Sequence, residues 1–124
     1  ETGQWYFYPG IAMGFLGELY MATAREEYLR AAEGYFDFTT RCREDVYASG
    51  PSGKVGWGSA LLYALTGKEQ YRQAALAVGD YLLDRQDEEG FWDLGGPYGS
   101  APYTILDLSA EFVVWLGEIA RYLS

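Results

Sequence analysis

From Gly10 to Thr23 the chain is almost wholly apolar. Ile11, Ala12, Met13, Phe15, Leu16, Leu19, Tyr20 and Met21 stand there with Glu18 as the one charge. The stretch from Val55 to Thr66 carries no charge at all. A helix apolar around its whole circumference is buried around its whole circumference. Both segments therefore predict inner helices, over about 10–23 and 55–66. The segments that follow them read differently. In 68–86, Tyr71, Ala74, Ala75, Val78 and Leu82 recur at helical spacing, while Lys68, Glu69, Arg72, Gln73, Asp80 and Asp84 fill much of the remainder. In 25–40, Tyr28, Ala32, Tyr35 and Phe36 form the same kind of stripe. One buried stripe and one wet face predict outer helices. A fifth helix over about 104–123 holds Leu106, Leu108, Phe112, Val113, Trp115, Leu116 and Ile119, and reads as a third inner helix.

The two helix pairs are copies. TAREEYLRAA at 23–32 matches TGKEQYRQAA at 66–75, with Thr23, Glu26, Tyr28, Ala31 and Ala32 each recurring 43 positions later. A period of this size marks stacked supersecondary units, none of which covers its own apolar face. Thr66-Gly67-Lys68 predicts a short turn, with Gly67 ending the helix before it. The connectors from outer to inner helix are long, about Arg41 to Gly53 and Asp87 to Tyr103, and both are expected at one end of the stack. Long loops on a rigid scaffold are where binding sites sit. The predicted architecture is all-α and a single domain over 1–124: one hairpin at about 10–41, a second at about 54–86, and the third inner helix at about 104–123. Three inner and two outer helices leave one flank uncovered. That predicts either a homo-oligomer or the remainder of a longer chain, and the lack of an initiator Met fits a processed or partial polypeptide.

Charge and composition narrow the partners. With 9 basic against 18 acidic residues the net charge is −9, the wrong sign for nucleic acid or an anionic membrane. The longest early uncharged run, Gln4 to Gly17, is too short to span a bilayer and contains Pro9 and three glycines. Histidine and asparagine are absent and Cys42 is the one cysteine. Ser-His and Cys-His nucleophile pairs, histidine-containing zinc sites, N-glycosylation and an intrachain disulfide are thereby excluded. No metal or cofactor is expected. A lone cysteine and the lack of a signal segment favour a cytoplasmic origin.

The Thr66–Ala75 pattern, T-G-x-x-x-Y-x-x-A-A, resembles the hairpins of (α/α)-toroid proteins, which include six-hairpin glycosidases and the acylglucosamine/cellobiose epimerases. Trp5-Tyr6-Phe7-Tyr8-Pro9, running into Met13-Gly14-Phe15-Leu16, is similar to the start of an epimerase-family hairpin. Gln86-Asp87-Glu88-Glu89-Gly90-Phe91-Trp92, with Tyr81-Leu82 upstream, fits most of the Q-x-x-x-G-x-W repeat of squalene and terpenoid cyclases. The resemblance implies a partial toroid, about half of one. It implies a small, neutral, carbohydrate-like ligand in an aromatic and acidic pocket, with carboxylates as acid and base for hydrolase or isomerase chemistry. A terpenoid-cyclase-like module is one alternative. A non-catalytic helical scaffold that self-associates through its open flank is the other. In cyclase-type repeats, the positions of Gln86 and Trp92 brace the hairpin ends.

The residues offer specific candidates. Glu18 is the lone charge of its helix, and burial would raise its pKa toward that of a general acid. Asp107, Glu111 and Glu118 share one stripe of the last helix with Arg121. Leu16-Gly17-Glu18-Leu19 and Leu116-Gly117-Glu118-Ile119 are similar, which pairs Glu18 with Glu118. These four acids are the candidate catalytic set. Trp5, Tyr8, Trp57, Trp92 and Tyr98 lie near loops or inner-helix starts and are the candidate stacking surfaces for a ligand. Asp84, Asp87, Glu88, Glu89 and Asp93 read as a solvated acidic loop. Gly50-Pro51-Ser52-Gly53-Lys54 lacks the spacing of a phosphate loop and reads as a turn. Cys42 stands between Arg41 and Arg43, neighbours that would lower its pKa.

Overall fold

A computed structural model describes residues 7–124. The chain is all-α, and no strand occurs among the described residues. Helix α1 runs Phe7–Thr23, α2 Glu26–Thr39, α3 Gly53–Thr66, α4 Glu69–Asp84, α5 Gly96–Gly99 and α6 Pro102–Leu123, with 3₁₀ turns at Glu44–Tyr47 and Gly50–Ser52. Helix α3 lies in the middle, with α1 on one side and α6 on the other; α2 covers α1, and α4 covers α3 and reaches α6.

Glycine brings the inner helices together. Gly10 faces the backbone of Lys54 and Val55, Gly14 lies under the Trp57 ring, and Gly17 lies under Leu61. On the other side of α3, Gly53 meets Trp115 and Gly56 meets Ile119. Residue numbers rise together along both seams, so α1, α3 and α6 run parallel. Their N-terminal ends therefore point to one side, α6 beginning more than three turns beyond the start of α3, and both long connectors arrive there. Gly50 of the first connector and Leu94 of the second line the same cleft.

Two apolar clusters fill the interior. Met13, Ala32, Phe36, Val55, Leu62 and Tyr71 join the first hairpin to the second. Ala75, Val78, Leu82, Trp92, Phe112 and Ile119 join the second to α6. Between α2 and α4 the Tyr71 ring stands edge-on to Phe36 at 4.6 Å. Its hydroxyl donates to Glu33 Oε1 at 2.8 Å, and Lys68 reaches the same oxygen. Burial acts to raise the Glu33 carboxyl, but these donors hold it below its ordinary value.

Burial holds for α3 as far as Leu62 and lapses in its last turn, where Ala64 is exposed, and it fails for α1. Ile11, Phe15 and Met21 of α1 are exposed, Phe15 at 58%. Helix α1 stands at the end of the row, so α2 and α3 cover only part of its surface. The long second connector also contains α5, a helical turn that the Gly/Pro-rich sequence reads as loop.

The hairpin turns differ at one position. Gly67 adopts φ 69°, and its N–H donates to Tyr63 O at 2.7 Å. Its repeat counterpart, Ala24, adopts φ 56° and makes the same bond to Tyr20 O. A left-handed conformation strains any residue with a Cβ. Ala24→Gly is expected to stabilise the fold by about 1 kcal/mol, read as a higher midpoint in urea with an unchanged slope. An unchanged or lower midpoint would show that the turn stores no strain.

Candidate functional site at the helix rim

The rim cleft is built around Lys54, one residue into α3. The chain enters this helix through a reciprocal serine pair: Ser49 N donates to Ser52 Oγ at 3.2 Å, and the two hydroxyls lie 2.8 Å apart. The Lys54 ammonium is half-buried against the Glu111 carboxylate of α6. It also lies 5.2 Å from the centre of the Trp115 ring. Trp115 stacks on Trp57, with centroids 5.5 Å apart and planes at 29°. Both indole Nε1 atoms are buried without a hydrogen-bond acceptor. Burial pulls the Lys54 ammonium below the usual lysine range, and the nearby Asp107 carboxylate opposes that pull. Gly50, Pro51, Leu94 and Leu108 complete the walls of a cleft of about 290 Å³.

The four candidate acids divide between the two ends of α6. Asp107 and Glu111 belong to the rim, Asp107 exposed and Glu111 half-buried. Glu118 lies two turns further, about 10 Å along the axis. There Arg121 donates to Glu118 at 3.4 Å and to the Tyr122 hydroxyl at 2.7 Å. That hydroxyl donates to Glu18 Oε1 at 2.7 Å. Burial, then the Glu18 carboxylate, pushes the Tyr122 phenol up to about 12. Glu18 and Glu118 therefore meet through Tyr122 and Arg121, away from the rim. Glu18 is exposed, so the burial that would make it a general acid does not occur.

The aromatic candidates are also dispersed. Trp57 belongs to the rim stack. Trp92 is 1% exposed. Its Nε1 donates to Leu82 O at 2.6 Å and its ring stands edge-on to Phe112. It is a brace inside the core and presents no face to a ligand. Tyr98 on α5 is 80% exposed. Tyr8 lines a separate groove between α1 and α2 with Ala31, Gly34, Tyr35 and Phe38. Trp5 lies outside the described residues.

Lys54 and Trp115 were not among the sequence candidates. The signal for Lys54 was its place as the last charge before an uncharged helix. For Trp115 it was the spacing of one turn from Glu111. Burial raises the Cys42 thiol above its ordinary value and outweighs Arg41, so the neighbouring arginines do not activate it. The acidic loop binds its own backbone, with Asp87 Oδ1 accepting from the N–H groups of Glu89 and Phe91. Among the described residues no group of three Asp, Glu or Cys side chains is placed to hold a metal ion. No described helix is long and apolar enough to cross a membrane. Comparison with family models, curated proteins and solved structures finds no match.

Proposed function

We propose that the chain binds a small neutral polyhydroxylated ligand, one sugar ring, in the rim cleft, as part of an (α/α) toroid. The observation that carries this reading is the Lys54–Glu111 pair in the wall of a cleft otherwise lined by Gly50, Pro51, Leu94 and Leu108. Adjacent hydroxyls of a sugar both donate and accept. An ammonium and a carboxylate side by side match them, hydroxyl oxygen to Lys54 and hydroxyl hydrogen to Glu111. The pair compensates its own charge, which favours a neutral ligand over a sugar acid or amine. Leu94 and Leu108 suit the C–H face of a ring. The parallel inner helices, backed by α2 and α4, support the toroid frame. Binding is favoured over hydrolysis. Hydrolysis needs two carboxyl groups on opposite sides of the bond to be cut, whereas Asp107 and Glu111 stand one turn apart on one helix.

Calorimetric titration with glucose, N-acetylglucosamine and cellobiose, against glucuronate and glucosamine, tests this. A neutral sugar is expected to saturate one site, with the charged sugars weaker. Lys54→Met and Glu111→Gln should each weaken it about tenfold, the loss of one charge-assisted hydrogen bond. Affinity should fall with rising pH as Lys54 deprotonates, earlier than for an ordinary lysine. No saturation by any neutral sugar, or binding indifferent to both substitutions, would overturn the reading.

A further inference from the structure

The groove between α4 and α6 is the second copy of a seat that the chain already fills once. Helix α2 receives α4 through Glu33, Phe36 and Thr40. Glu33 accepts from Lys68 and Tyr71, Phe36 packs on the Tyr71 ring, and Thr40 shares a recess with Gln70, Gln73 and Ala74. Forty-three residues on, at the same period that relates the two hairpins, α4 carries Leu76, Gly79 and Leu83. These three side by side form one wall of a groove of about 460 Å³, and Leu116, Ile119 and Leu123 of α6 form the other. Leu83 is 55% exposed. Among the described residues, the position that seats an outer helix in one hairpin is thus open in the next, beside α6.

We infer that this groove docks a single amphipathic helix from outside residues 7–124, lying along α6 as α4 lies along α3. The internal α2–α4 interface states what that helix looks like. Its stripe is apolar throughout, because Leu76 replaces the acceptor Glu33. A bulky side chain lies over Gly79, where the Phe36 ring is missing and a Cβ would meet nothing nearer than Ile119 Cγ2 at 3.8 Å. Its flank is basic, because Asp80 lines the groove. A second copy of this chain fits less well. Among the described residues each copy leaves two sides open, and each of them lacks an outer helix, since the α1–α2 groove lined by Ala31, Gly34 and Tyr35 repeats the face by which α4 packs on α2.

The test uses a fluorescent, side-chain-stapled peptide with the sequence of residues 68–84 and Phe in place of Tyr71, read by anisotropy against the full chain. The inference requires saturable binding, weakened about tenfold or more by Leu83→Glu, which sets a charge into the apolar wall. Val113→Glu, an equally exposed apolar position of α6 outside the groove, must leave it unchanged. Both side chains are more than half exposed, so both variants retain the fold, checked by circular dichroism. Absence of saturable binding, or equal loss in the two variants, overturns the inference. Sedimentation showing a dimer that Leu83→Glu dissolves and the peptide does not displace also overturns it, in favour of a second copy. None of these readings depends on a sugar at the rim.

Discussion

Gly10→Ala is expected to destabilise the chain by about 3 kcal/mol or more, the upper range of overpacking effects. A Cβ at this position would stand 2.6 Å from both Lys54 C and Val55 N. Real Cβ contacts do not approach this closely. The obstructing atoms are backbone, so no rotamer change relieves them. The α1–α3 seam must widen, and every contact along it, from Gly14 under Trp57 to Gly17 under Leu61, loosens together. Urea unfolding followed by tryptophan fluorescence gives the measurement. Gly34→Ala supplies the contrast. A Cβ there meets nothing within 4 Å, and removing a mid-helix glycine should add about 0.5–1 kcal/mol. If Gly10→Ala lost no more than a few tenths of a kcal/mol, close approach of these two helices would not be what holds the row together.

Trp92→Ala is expected to lose about 3–5 kcal/mol, the range for deleting a fully buried aromatic side chain. The ring joins the second connector to the core cluster of Leu82, Phe112 and Ile119. Two directional bonds fix it as well. Its Nε1 donates to Leu82 O, one of the last carbonyls of α4, and its backbone N–H donates to Ser109 Oγ in α6 at 3.1 Å. Trp92→Phe keeps most of the apolar contact and removes the first bond, so it should lose less, about 1–3 kcal/mol. Equal losses in the two variants would assign the whole effect to the indole N–H. Small losses in both would mean that the connector is held elsewhere.

The fold was readable because its main signals are local. Charge-free segments separated inner from outer helices, the repeat located equivalent residues, and Gly67 marked a turn. The shared rim followed from connector length alone. All-round apolarity overstated the burial of α1, since the position of a helix in the row decides how many sides are covered. The site was less readable because its geometry is non-local. Lys54 and Glu111 are far apart in sequence and meet only when α3 and α6 lie in parallel register. Asp107, Glu111 and Glu118 share a stripe, and a stripe says nothing about which end of the helix a neighbour reaches. Trp92 looked like a loop aromatic, yet the turn from Gln86 to Gly90, where Gln86 Nε2 donates to Gly90 O at 3.0 Å, folds it inward. Its loop position gave no sign of this, and a structural role was only what the likeness to the Q-x-x-x-G-x-W repeat implied.

The bond from Tyr122 to Glu18 joins residues 104 positions apart. Ordering so long a span for one half-exposed contact would be unfavourable from an extended coil. It becomes affordable only after the neighbouring seams have aligned the intervening helices. The contact therefore depends on the seams on both sides of α3 at once, and loosening either one is expected to part Tyr122 from Glu18.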